Sequence, residues 1–133
     1  MIVVNNKSEL KKLIYQRTVE YGLNCNLNDI DVSKIDDMSF LFTDSKFNGD
    51  ISSWDVSNVK NMSFMFEGSR FNGDISSWNV SSVTNMSYMF SWSRFNGDIS
   101  NWNVSSVEDM HCMFYASPLD PLYHHEPKWY RPW

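Results

Sequence analysis

Phe47-Asn48-Gly49-Asp50-Ile51-Ser52-Ser53-Trp54 returns unchanged as residues 71 to 78, and again as Phe95-Asn96-Gly97-Asp98-Ile99-Ser100-Asn101-Trp102. The spacing is 24 residues each time, without insertion. The continuation Val56, Val59, Met62, Met65, Phe66 recurs at Val80, Val83, Met86, Met89, Phe90 and at Val104, Val107, Met110, Met113, Phe114. A worn first copy lies one period upstream, in Leu23, Leu27, Ile30, Val32, Ile35, Met38, Leu41 and Phe42. Four units follow from this, 23–46, 47–70, 71–94 and 95–118, with Leu119 and Tyr123 continuing the Phe47 and Ile51 columns. Self-similarity at one fixed period marks stacked repeats, in which a unit too small to enclose a core shares one with its neighbours.

Eight columns are apolar in every copy, so those side chains are expected to face inward. Trp54 and Val56 have the period-2 spacing of a short strand. Asn61 stands where it can cap a helical turn carrying Met62, Met65 and Phe66 at i, i+3 and i+4, with Asn85, Asp109 and Asp37 as its equivalents. Gly49, Gly73 and Gly97 mark a tight turn. The fold class predicted is therefore an α/β repeat solenoid, a leucine-rich-repeat-like right-handed stack of four coils, each a short strand plus a helical turn.

Four coils at a strand spacing of about 4.8 Å reach only ~20 Å, and both cut ends need covering. Residues 1–22 supply a strand, Ile2-Val3-Val4, and an amphipathic helix from Ser8 to Tyr21, capped by Asn6 or Ser8 and stopped by Gly22. Leu10, Leu13, Ile14 and Tyr21 lie on one side of it. Residues 119–133 form the other cap. Pro118, Pro121, Pro127 and Pro132 interrupt regular structure there, and Leu122, Tyr123, Trp129, Tyr130 and Trp133 provide apolar cover.

The string FNGDISSWDVSNVKNMSFMF, with its variants, resembles the BspA-like leucine-rich-repeat proteins of bacteria, whose 24–25-residue repeat is also common in mycoplasma surface lipoproteins. The resemblance covers residues 23–118. It implies an adhesin or interaction module, often secreted, and brings no set of catalytic residues.

Eleven basic against 16 acidic residues give a net charge of −5. That balance argues against direct binding to nucleic acid or to an anionic membrane, both of which need a basic surface. The N-terminus lacks the basic segment and apolar run of a signal peptide, and no stretch is apolar for the ~18 residues of a membrane span. A cytoplasmic location is expected; removal of a leader would instead place the chain at the cell surface. Cys25 and Cys112 fall three coils apart, about 14 Å along the stack, beyond the ~7 Å reach of a disulfide.

Repetition turns each position into a ladder. Asp50, Asp74 and Asp98 form an acidic one, with Lys46, Arg70 and Arg94 four positions earlier as its expected neutralising partners. Calcium wants about six to eight oxygens and gets one carboxylate per coil, so no metal or other cofactor is expected. The ladder Asn24, Asn48, Asn72 and Asn96 reads as amide hydrogen bonds along the stack. Ser33, Ser57, Ser81 and Ser105 have no base beside them and read as turn formers. His111 replaces the serines of its column, Ser39, Ser63 and Ser87. His124, His125 and Glu126 form the one cluster resembling a metal or acid–base set, without a third ligand at zinc-like spacing.

Variation is confined to columns expected to face solvent: Thr43, Glu67, Ser91, Tyr115; Asp44, Gly68, Trp92, Ala116; and Asp36, Lys60, Thr84, Glu108. Trp92 stands out, because Trp, Tyr and Arg dominate binding surfaces. The binding residues expected are Trp92, Tyr88, Arg94, Tyr115, Arg70 and Glu67. The function expected is a non-catalytic protein–protein interaction module, monomeric, whose sharper version is a small intracellular inhibitor or regulator of one protein partner. The alternatives are an exported surface adhesin fragment and a metal-dependent enzyme built on His124 and His125.

Overall fold

The computed structural model describes residues 1–131; Pro132 and Trp133, assigned above to the C-terminal cap, lie outside the described residues. The regular elements are β1 (Ile2–Val3), α1 (Lys7–Tyr21), β2 (Ile30–Asp31) and a 3-10 turn at Pro121–Tyr123. No solenoid of four strand-and-helix coils forms. The expected α/β leucine-rich-repeat-like class is thereby overturned, and the reason lies in how each unit spends its backbone donors.

A unit is a succession of turns. Asp50, Asp55 and Asn61 each accept on a side-chain oxygen the N–H two residues on, from Ser52 (2.9 Å), Ser57 (3.0 Å) and Ser63 (2.9 Å). Short polar side chains that bind the local backbone in this way compete with helix and sheet. Asn61 was expected to start a helix. It makes one of these turns instead and bridges in parallel to Asp37 and Asn85.

From Met62 onward the donors alternate. The N–H groups of Met62, Phe64, Phe66 and Gly68 donate across to the carbonyls of Asn85, Ser87, Met89 and Ser91, at 2.9 to 3.0 Å. Those of Met65, Glu67 and Ser69 donate back three residues, to Met62, Phe64 and Phe66. An α-helix needs every donor for its own i−4 carbonyl, so exporting alternate donors excludes it. Left-handed backbone at Phe64 (φ 58°) and Gly68 (φ 65°) completes the exclusion.

Side chains 24 apart consequently meet. Phe42 and Phe66, Phe66 and Phe90, and Phe90 and Phe114 lie 5.5, 5.5 and 5.7 Å apart with nearly parallel rings. The indole N–H groups of Trp54, Trp78 and Trp102 donate to the carbonyls of Leu27, Ile51 and Ile75 at 3.0 to 3.1 Å. A buried tryptophan needs such a partner. The columns expected to face inward do so, with two corrections. Leu23 is 47% exposed, and Val104 and Val107 are only partly covered. Gly49 is required by crowding rather than by its turn: a Cβ there would strike the Cys25 carbonyl and lie 2.6 Å from the buried Phe47 ring.

Helix α1 starts where Asn6 accepts from the Glu9 N–H at 2.9 Å, while the Glu9 carboxylate accepts from the Asn5 N–H at 2.8 Å. It ends at Gly22 (φ 95°), whose N–H reaches the Thr18 carbonyl. Leu10 and Ile14 are buried, but Tyr21 is exposed and not on the packed side as expected. Strand β1 pairs in parallel with β2, Ile2 opposite Ile30. The Lys7 ammonium donates to the Ser39 carbonyl at 3.1 Å and pairs with Asp37 at 3.2 Å, closing part of the first unit's outward edge.

At the other end, Trp129 donates its indole N–H to the Ile99 carbonyl at 2.9 Å and stacks on Trp102 at 6.3 Å, so it takes the next place in the tryptophan file. Tyr130 packs edge-on against Phe114 at 5.0 Å; its phenol, pushed up to about 12, is held there by burial. Leu122 and Tyr123 do not supply the cover expected of them. Both are exposed, and Tyr123 does not continue the Ile51 column.

Two consequences are measurable. Replacing Trp78 by Ala removes a ring that is 4% exposed and orphans its column; a loss of about 3–5 kcal/mol is expected in denaturant unfolding. The acidic ladder gives the second. Hydrogen bonds from Ser52, Ser76 and Ser100 hold the Asp50, Asp74 and Asp98 carboxyls below the ordinary range. A depressed native value stabilises above the unfolded pKa of ~3.9 and is lost below it. The thermal midpoint should therefore stay level from neutral pH to about pH 5 and fall as pH drops below ~4.

Candidate functional site

Left-handed backbone recurs in two columns. Phe40, Phe64, Tyr88 and Cys112 have φ of 62°, 58°, 58° and 52°; four residues on, Asp44, Gly68, Trp92 and Ala116 have 55°, 65°, 59° and 57°. Each reversal turns the side chain away from the core that Met62, Met65 and Phe66 and their equivalents fill. In the first column the rings stack on one another: Phe40 on Phe64 at 4.7 Å and 5°, Phe64 on Tyr88 at 4.8 Å and 6°. Phe40 is 49% exposed and the other two are half-buried. The result is an aromatic strip on the outside of the protein.

The second column brings Trp92 into the same neighbourhood. It is 66% exposed and meets Tyr115 edge-on at 5.9 Å. A left-handed conformation costs a residue with a Cβ roughly 1–2 kcal/mol, and glycine, present at position 68, avoids that cost. Trp92 thus occupies a strained position without being buried for it.

Carboxylates border the strip. Burial, and then the nearby charge of Asp44, pushes the half-buried Glu67 carboxyl up. The Tyr88 phenol is pushed up by its hydrogen bond with the Cys112 thiol and further by the charges of Asp109 and Glu67. Of the expected binding residues, the structure joins Trp92 with Tyr115, and places Glu67 near enough to Tyr88 for its charge to be felt. Arg70 and Arg94 are exposed, and only their backbone N–H groups are engaged, with the Ser45 and Ser69 carbonyls. They do not neutralise the acidic ladder: the ion pairs among the described residues are Lys7–Asp37 and Arg17–Asp29, both anchoring α1. Ser91, assigned to a solvent-facing column, is 2% exposed.

Phe40 and Phe64 were not among the binding residues expected, although Tyr88 of the same column was. The available signal was their column, which ends in Cys112 and tolerates tyrosine. The asparagine ladder forms hydrogen bonds along the stack as expected, with backbone amides as the donors. Asn48 and Asn72 accept, on their side-chain oxygens, the backbone N–H of Asn72 and Asn96, each at 2.8 Å. Cys25 and Cys112 are free thiols.

At the C-terminal end His124, itself left-handed (φ 60°), and His125 are exposed, while the Glu126 Oε2 is buried without a partner. Among the described residues no three His, Cys, Asp or Glu side chains converge on a point that could hold a metal ion. No helix of the described residues is long and apolar enough to cross a membrane.

Turn-built units in a 24-residue register, displaying aromatic rings from left-handed positions, define a repeat protein with a patterned outer surface. The chain belongs to the family described as Mycoplasma protein of unknown function, DUF285, whose model matches residues 8–120. This agrees with the expected kinship to mycoplasma repeat proteins and carries no leucine-rich-repeat assignment. No curated protein and no solved structure matches the chain.

Replacement of Trp92 by Gly tests the strain directly. It should leave unfolding free energy unchanged or raise it by up to about 1 kcal/mol, because relief of the left-handed cost opposes only the loss of the contact with Tyr115.

Proposed function

We propose that this protein is a protein-binding module whose contact surface is the strip Phe40–Phe64–Tyr88 continued by Trp92 and Tyr115. The observation that carries the reading is the rigid exposure of these rings. Each is fixed by the register or by a ring neighbour, so little side-chain entropy is lost when a partner lands on them. Aromatic anchors with few rotatable bonds dominate the energetics of interfaces. Asp44, Glu67 and Asp109 along the border favour a partner that offers lysine or arginine around an apolar centre, since complementary charge speeds and orients association.

Partners retained by the wild-type chain should be lost by the pair Phe64→Ser and Trp92→Gly, with a fall in affinity of about 2 kcal/mol or more, the scale of truncated anchor residues. Circular dichroism and the thermal midpoint establish that the variant folds. Retention of every partner by the folded variant would refute the assignment of this face. Salt provides an independent reading: affinity should fall as ionic strength rises, because the bordering carboxylates are screened.

A further inference from the structure

One set of the backbone donors that tie the units together points to the following unit, and after the fourth unit the described chain continues as the C-terminal segment rather than as another repeat. Phe40, Phe64 and Tyr88 send their N–H groups to the carbonyls of Ser63, Ser87 and His111 at 3.1, 3.0 and 2.9 Å. Cys112 is the next member of that column, with the same left-handed backbone, and its N–H has no acceptor among the described residues. The N–H groups of Met110 and Phe114, on either side of it, likewise have no acceptor among the described residues, and the edge around them is partly covered. Ala116 donates to the Asp120 carboxylate at 2.9 Å, Tyr130 packs over Phe114, and the Arg131 N–H lies 3.2 Å from the Met110 sulfur. Cys112 itself lines a cleft, together with His111, Tyr115, Asp120, Pro121 and Tyr130.

We propose that this cleft takes an extended segment of a partner polypeptide, which sets a backbone carbonyl on the Cys112 N–H and its following aromatic side chain over the end of the strip. The occupant's chemistry is shown earlier in the chain. In Ser63-Phe64 and Ser87-Tyr88 the serine carbonyl accepts the edge donor, and the next residue stacks its ring at 4.7 or 4.8 Å on the ring of the unit before. The site is the continuation of an interface that the protein already forms with itself. Cys112 has no ring, and His111 meets Tyr88 only edge-on at 5.8 Å. A serine–aromatic pair from outside therefore finds an unanswered donor at Cys112 and, at Tyr88, the last ring of the stacked column. A second copy of this chain fits less well. Its matching carbonyl edge is engaged at Ser39 by Lys7, and Leu41 lines a cleft with Lys11, Ile14 and Tyr15 of α1. The site adjoins the strip and shares Tyr115 with it, so its aromatic end rests on the reading above, while its backbone donor at Cys112 is read out separately by amide exchange.

The test is amide hydrogen exchange by NMR on the whole chain, with acetyl-Asn-Met-Ser-Tyr-Met-amide, the sequence of residues 85–89, as the probe. Without it, the Cys112 amide should exchange rapidly while those of Phe64 and Tyr88 are protected. The probe, titrated to ~10 mM so that affinities near 1 mM are visible, should slow Cys112 exchange about tenfold at 90% occupancy. It should also shift the Tyr88 and His111 ring signals, and the tyrosine-to-alanine probe should do so more weakly. Unchanged Cys112 exchange at the highest concentration overturns the proposal. So does a probe that perturbs Phe40 and Phe64 while leaving Cys112 untouched, or protection of Cys112 by self-association in sedimentation without any probe.

Discussion

One constraint governs this molecule: in the first three units, at residues 62 to 68 and their equivalents, every second backbone N–H leaves its own segment for a carbonyl 23 residues further on. Once alternate donors are committed elsewhere, neither a helix nor a continuous strand can form there. The segment becomes a run of turns with two left-handed residues. That accounts for a protein with a well-filled interior and almost no regular secondary structure. Its core is as orderly as a sheet protein's, yet the order resides in register between units rather than in local geometry within them.

The same constraint writes the surface. A left-handed residue throws its side chain opposite to its neighbours, so the two left-handed columns become the places where a large ring can be displayed without entering the core. Phe40, Phe64 and Tyr88 fill one column, Trp92 stands in the other, and the 24-residue register brings the rings of the first into contact. The polar side follows a parallel logic. Asp50, Asp74 and Asp98 are occupied with Ser52, Ser76 and Ser100 rather than with arginine, which leaves Arg70 and Arg94 without a structural ion pair.

How far the sequence could be read depends on which interaction decides each feature. The inward columns were legible because hydrophobic burial repeats with the period and needs no local conformation to be recognised; Trp54, Trp78 and Trp102 follow from it. Backbone destinations were not legible. Met62, Met65 and Phe66 show helical spacing, and nothing in residue type announces that Phe64 and Gly68 reverse the chain between them, except the glycine itself. Phe40 and Phe64 of the aromatic strip were missed for that reason, whereas Trp92 was found because it breaks its column. Trp129 stands 27 residues beyond Trp102 rather than 24, so a search at constant period passes over the residue that completes the tryptophan file.

The indole bonds of Trp54, Trp78 and Trp102 point backward along the chain, each to a carbonyl 27 residues earlier, while the backbone bonds run both ways, Phe64 donating forward to Ser87 and Arg70 back to Ser45. Successive layers are thus sewn together in both directions by ties that do not depend on the covalent link between them. Ser76 and Ser77 lie at an exposed corner. A protease that severed the chain at that corner would produce two polypeptides and still leave one folded object, with its outer face unbroken.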